Sequence, residues 1–232
     1  MTAKEDDRPS PLKRVLRALV PTRLRQERGI IFRLGPSGFA YAKLRLLDAM
    51  KMQPNAAAKE RRCPPDARSF LFVCYGNIMR SPMAELMFKR ALVENAREDL
   101  VVRSAGIHAT AGTEAEPRAQ VAAAELGLPL AHHRSKLLTA EMMQEADAVF
   151  AMDLQNLAEL VTLFPQSRDK VLLLSAYADG EQRGREIRDP YFGDQDESRR
   201  CYALLQTCVN NLARSLAPVG NDVRAEALDA KL

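Results

Sequence analysis

Long apolar runs are missing from this chain. The longest, such as Val171 to Leu174 and Ser69 to Cys74, are of strand length, far short of the roughly 20 residues a membrane-spanning helix requires. No secretory signal is evident either: Met1 to Ser10 is charged, and no apolar stretch with a small-residue cleavage site follows. Cysteine is scarce. Cys63, Cys74, Cys201 and Cys208 lack the spacing of a zinc site, and four in 232 residues do not make a disulfide framework. A reducing, cytoplasmic setting is therefore expected. Aromatic residues form only 6% of the chain and are sparse among the basic ones, with no recognition motif, so no nucleic-acid partner is expected.

What is present is globular. Hydrophobic residues make up 47% and charged residues 28%, outside the disordered class. The length suits one full-sized domain with an appendage. Charge is unevenly placed: residues 1–68 hold 16 Lys/Arg against 7 Asp/Glu, a net of +9, leaving −5 for the remainder of a chain that totals +4. Residues 53–68, rich in Pro, Ala and charge, read as a linker. The expected organisation is a basic helical N-terminal extension and linker over 1–68, an α/β domain over 69–217 and a tail over 218–232.

Inside the extension, Leu12, Val15, Leu16, Leu19 and Val20 recur at helical spacing, with Lys13, Arg14 and Arg17 on other faces. Phe39 to Met52 is a second amphipathic candidate. Residues 11–52 offer one of two things. They form a basic surface for an anionic membrane or an acidic partner, which would make the protein peripheral at the membrane; or they pack on the negatively charged remainder.

Beyond the linker, strand and helix alternate. Ser69–Cys74, Leu100–Ser104, Ala148–Met152 and Val171–Ser175 read as strands. Ala84–Ala91, behind Ser81 as N-cap and Pro82 in the first turn, reads as a helix. So do Pro117–Leu126, stopped by Gly127, Leu154–Leu163 and Ser198–Leu216. This order implies a three-layer α/β fold: a four-stranded parallel sheet flanked by helices. Ligands of such folds sit beyond the carboxyl ends of the strands, where Cys74 stands.

Cys74-Tyr75-Gly76-Asn77-Ile78-Met79-Arg80-Ser81 runs from a strand end into a helix start. Backbone N–H groups of such a loop converge on an anion, and the helix dipole adds positive charge. Gly76 allows close backbone approach. Arg80 brings a planar fork for two phosphate oxygens, and the same field favours Cys74 as a thiolate nucleophile. The competing reading is a buried structural cysteine.

The stretch from Phe70 through Cys74, Arg80 and Pro82 to Glu85 resembles the signature of the low-molecular-weight protein tyrosine phosphatases, which share the flavodoxin-like fold. Ser104-Ala105-Gly106 is similar to that family's next patch, and His133 falls where the family has a histidine before Met152-Asp153. Asp189-Pro190-Tyr191-Phe192-Gly193 resembles its general-acid loop; Asp-Pro by itself reads as a turn. The resemblance implies Cys74 as nucleophile, Arg80 as phosphate binder and Asp189 as general acid and base. It implies substrate binding by Tyr75, Gly76, Asn77, Ile78, Met79, Ser81, Tyr191 and Phe192, loop-shaping hydrogen bonds from Asn77, Ser81 and Ser104 to the loop backbone and the thiolate, and structural support from Ser104 and His133. Substrates would be a phosphotyrosyl protein or a small aryl phosphate, with no metal or cofactor. The alternatives are a phosphate-binding pseudo-phosphatase and a protein arginine phosphatase.

The chain departs from that pattern in places. Met79 stands where many members carry a second cysteine that can trap the oxidised nucleophile. Tyr75 is bulkier than the usual aliphatic residue. Ile78 suits a tyrosine phosphatase, whereas arginine phosphatases of this type tend to carry threonine. Residues 133–165 contain no cysteine, which argues against thioredoxin-coupled arsenate reduction. Cys201 and Cys208, seven apart on one helix, are expected in the core, and His132 in solvent.

Overall fold

The computed structural model describes residues 30–31, 33–49 and 63–216. The helix expected through Leu12–Val20, most of the linker and the C-terminal tail lie outside the described residues.

Four strands, β1 (Ser69–Cys74), β2 (Val101–Gly106), β3 (Ala148–Ala151) and β4 (Val171–Leu173), form one parallel sheet in the order β2-β1-β3-β4. This is the doubly wound flavodoxin-like order, with its switch point at β1/β3. β1 is apolar throughout because both its faces are covered. Phe70, Phe72 and Cys74 face a core shared with helices α2 (Arg80–Glu94), α3 (Pro117–Glu125) and α6 (Gln195–Ser215). Leu71 and Val73, pointing the other way, face a second core with α1 (Ser37–Ala49), α4 (Ala140–Glu145) and α5 (Leu154–Leu163). Phe72 stacks on Phe150 at 5.4 Å and meets Phe88 edge-on at 5.4 Å, joining two strands to α2.

Several boundaries differ from expectation. β2 runs on to Gly106, which stands in register with Cys74. β4 stops at Leu173 because residues 174–177 tighten into a 3₁₀ turn. α6 begins three residues early, where Asp194 Oδ1 accepts from Glu197 N at 2.8 Å. α3 ends where Gly127 takes φ +67°, as the glycine stop implies. α2 begins at Arg80, so Ser81 is not its N-cap; the capping position is Met79, without a side-chain cap.

The extension's second helix is present as α1, and it packs on the domain. Tyr41 is buried in the second core, Ile31, Leu34 and Leu44 lie against that core, and Arg45 Nη1 meets Glu186 Oε2 at 2.7 Å. No described helix is long and apolar enough to cross a membrane.

Candidate active site

Cys74 ends β1 at the switch point, and its sulfur is held from below. Ser81 Oγ lies 3.0 Å from Sγ, and Asn77 N donates to it at 3.3 Å. The N-terminus of the 15-residue helix α2 abuts the same loop, adding its positive end. Ser81 cannot cap α2 because its hydroxyl is engaged here and on Ala105 O at 3.2 Å.

Asn77 is the peg of the loop. It is fully buried at φ +53°, a left-handed conformation that asparagine tolerates better than most residues. That turn sends its side chain into the interior, where Nδ2 donates to Ser81 Oγ and Ser104 Oγ, both at 2.9 Å, and Oδ1 accepts from Lys136 N at 2.9 Å. Ser104 in turn donates to Glu85 Oε2 at 2.6 Å. His133 Nε2 lies 2.7 Å from Asn77 O. A carbonyl only accepts, so this nitrogen carries the hydrogen. Burial lowers the His133 pKa below its ordinary value, against the opposing pull of the Asn77 hydrogen bond. Ser104 and His133 both belong to this hydrogen-bond network. Asn77 and Ser81 lie beneath the loop among these hydrogen bonds, and their side chains do not line the cleft.

The glycine that sterics demand is Gly106. A Cβ there would sit 2.7 Å from Asn77 N and 2.8 Å from both Gly76 C and Tyr75 O, all backbone atoms. At Gly76, credited above with close approach, a Cβ would meet only Ile78, at 3.5 Å.

Arg80 is only 2% exposed. Nη1 donates to Asp153 Oδ2 at 2.5 Å and to Ile187 O at 3.1 Å; Nη2 donates to Asp189 Oδ2 at 2.5 Å. Burial opposes its charge, but Asp153, Asp189 and Cys74 outweigh that and raise its pKa above the usual arginine value. Both Nη1 hydrogens are committed. Nε–H and the second Nη2–H have no partner among the described residues, which leaves donors that can take two oxygens of one anion. Asp153 was not singled out from sequence. It works twice, since Oδ1 also caps α5 by accepting from Asn156 N at 2.7 Å.

Asp189 Oδ1 accepts from Tyr191 N at 3.1 Å, so the Asp-Pro turn and the Arg80 contact use one carboxylate. Arg118, also missed from sequence, holds this loop: Nη2 donates to Tyr191 O at 2.7 Å and Nη1 to Gly193 O. Its Nε donates to Glu116 Oε1 at 2.7 Å, while Glu116 N donates to Ile78 O at 3.0 Å. The two loops are thereby braced against each other.

Above them opens a cleft of about 520 Å³ lined by Cys74, Tyr75, Gly76, Ile78, Met79, Arg80, Asp189, Tyr191 and Phe192. Tyr191 is partly exposed and Phe192 is 95% exposed, so neither is core. The Tyr75 ring lies against His108, centroids 4.6 Å apart and planes tilted by 35°, and His108 Nε2 pairs with Glu159 Oε2. His132 is exposed, and Cys201 and Cys208 are buried, as expected. Among the described residues no group of three His, Cys, Asp or Glu is placed to hold a metal ion.

A cysteine and a buried arginine on a strand–loop–helix turn, at the switch point of a doubly wound sheet, define the class of cysteine-dependent phosphatases. Comparison with known proteins agrees. A family model described as low molecular weight phosphotyrosine protein phosphatase matches residues 69–224. Etp of Escherichia coli K12, a low molecular weight protein-tyrosine-phosphatase, is 34% identical over 149 residues, 64% of this chain and 95% of that protein. The protein-arginine-phosphatase of Bacillus subtilis 168 is 37% identical over 146 residues, 63% of this chain and 95% of that one. The crystal structure of a YwlE mutant from Bacillus subtilis superposes with a TM-score of 0.59 at 36% identity, covering 64% of this chain and 97% of that one. The chain belongs to the low molecular weight phosphotyrosine protein phosphatase family.

Proposed function

We propose that the protein hydrolyses phosphotyrosine, in a protein or a small aryl phosphate, through a phosphocysteine. The convergence of Cys74 Sγ, the open edge of Arg80 and Asp189 on one aromatic-lined cleft carries this reading. Cys74 attacks phosphorus in line with the leaving oxygen. Nε–H and Nη2–H of Arg80 and the amides of residues 75–80 hold the equatorial oxygens as charge redistributes. Asp189, protonated, gives its proton to the leaving phenolate; as carboxylate it then takes one from the water that frees phosphate and regenerates Cys74. Tyr75, Ile78, Tyr191 and Phe192 flank the ring. Asn77, Ser81, Ser104 and His133 support the loop.

The reaction belongs to a domain over 69–217, joined to the extension over 1–68 and followed by a tail over 218–232. The location proposed is cytoplasmic. The basic extension would add affinity for an anionic membrane surface or an acidic partner through residues 11–52; the packing of α1 on α5 restricts that role to faces α1 leaves open.

The test is phosphate release from a phosphotyrosyl peptide at mildly acidic pH, wild type beside Cys74→Ser. Turnover that disappears in the variant is expected. A folded wild type without turnover would overturn the proposal in favour of a phosphate-binding module. The identity to the Bacillus arginine phosphatase makes a phosphoarginine peptide the second substrate to run.

A further inference from the structure

The cleft does not end at the phosphate loop. Gln155, Glu159 and Leu163 also line it, and they recur every fourth residue, so one face of α5 forms its continuation. At 1.5 Å per residue that face runs about 12 Å, enough for three or four residues of extended peptide at about 3.3 Å each. The same cleft is lined by Arg33, Leu34, Pro36 and Ser37. The family match begins at residue 69, so this wall comes from outside the family's own span. It is held in place by burial of Tyr41 and by the Arg45–Glu186 pair, whose Glu186 also accepts from Leu154 N at the head of α5.

The charges in this part of the cleft are unequal. Glu159 is 4% exposed, with Oε2 on His108 and Oε1 accepting from Gln155 Nε2 at 3.2 Å. Both of its carboxylate oxygens have partners. Arg33 is exposed and has no ion pair among the described residues. Among the described residues of this wall the uncommitted charge is therefore positive, beside the apolar surfaces of Leu34, Pro36 and Leu163.

We infer that the N-terminal extension builds a peptide subsite along α5, in which Arg33 selects phosphopeptides carrying an acidic side chain within about three residues of the phosphorylated one. This rests on the phosphatase reading above and deepens it: the substrate is a protein segment, and the extension takes part in choosing it.

The experiment uses the full chain and three phosphotyrosyl peptides that differ only in carrying acidic, neutral or lysine residues at the positions flanking the phosphotyrosine. At low salt wild type is expected to prefer the acidic peptide by about fivefold in kcat/KM, carried by KM, as one partly exposed ion pair allows. The preference should fade at about 0.5 M salt. Arg33→Ala should bring the acidic-to-neutral ratio near one, and Arg33→Glu should invert the order in favour of the lysine peptide, which misfolding would not do. A wild-type ratio of one, or an acidic preference intact in both variants, would overturn the subsite. Wild-type turnover of p-nitrophenyl phosphate separates the two readings: its absence sinks the phosphatase reading and the subsite with it, and its presence without charge preference sinks the subsite alone.

Discussion

Arg80 Nη2 and Asp189 Oδ2 meet at 2.5 Å although 109 residues separate them. The contact joins the group that would bind phosphate oxygens to the one that would move the leaving-group proton. Asp189 also accepts from Tyr191 N, so the carboxylate shapes its own loop. Chemistry at this site therefore needs both loops in register, and Arg118 and Glu116 brace them.

Asp189→Asn keeps a side chain that can still meet Arg80 and removes the transferable proton. Turnover of phenyl phosphate, a poor leaving group, is expected to fall on the order of 100-fold or more. An ester with a much more acidic phenol should lose far less. A kcat series across leaving groups checks this, and equal losses along the series would remove Asp189 from proton transfer.

Asn77→Ala strips partners from Ser81, Ser104 and Lys136 N and leaves an alanine at φ +53°. A loss of about 3 kcal/mol is expected from the combined strain and unpaired groups. Asn77→Gly loses the same hydrogen bonds without the strain, and should be the more stable of the two by about 1 kcal/mol. Urea unfolding of both variants checks the order; an alanine variant as stable as the glycine one would mean that the turn stores no strain.

His133 titrates below its ordinary 6.5 because burial disfavours its charged form. The unfolded chain then binds the proton first as pH falls, so the stability this residue contributes is present above about 6.5 and lost as pH drops through the lower folded value. The stability difference between wild type and His133→Gln should shrink from pH 7.5 to 5.5, read by urea midpoints. A difference that does not change with pH would place His133 outside this linkage.

Burial pushes the thiols of Cys63, Cys201 and Cys208 up to about 12. Iodoacetamide at neutral pH should therefore modify Cys74 first in the folded protein, with inorganic phosphate slowing it, and the other three only on unfolding. Peptide mapping checks the order. After peroxide, Met79 supplies no thiol to trap oxidised Cys74, so recovery through a Cys74 disulfide would contradict this account.

Much of the site was legible because it is local. Six residues of apolar strand, a short loop and a helix start occupy contiguous sequence, and each obeys a backbone rule that residues 69–94 display openly. The long-range partners were not. Asp153, Arg118 and the His108–Glu159 pair carry no periodic signature, because a polar residue recruited by a neighbour 51 to 75 positions away looks like any other surface charge. The misplaced N-cap has the same cause: Ser81 suits a cap locally, and its hydroxyl is diverted to Cys74 Sγ, Asn77 Nδ2 and Ala105 O.

The sequence alone determined a parallel sheet, the succession of its strands and most of its helices along the chain, and the loop with its cysteine and arginine, since these follow from apolar period and turn chemistry. Tertiary structure decided what those groups face. Docking of α1 on α5 sets Arg33 into the cleft wall, the β1–β2 register puts Gly106 under the loop, and the fold's closure brings Asp189 to Arg80. The physical reason is that hydrophobic burial positions elements from their own patterns, whereas polar contacts between distant elements exist only once that burial has fixed the distances.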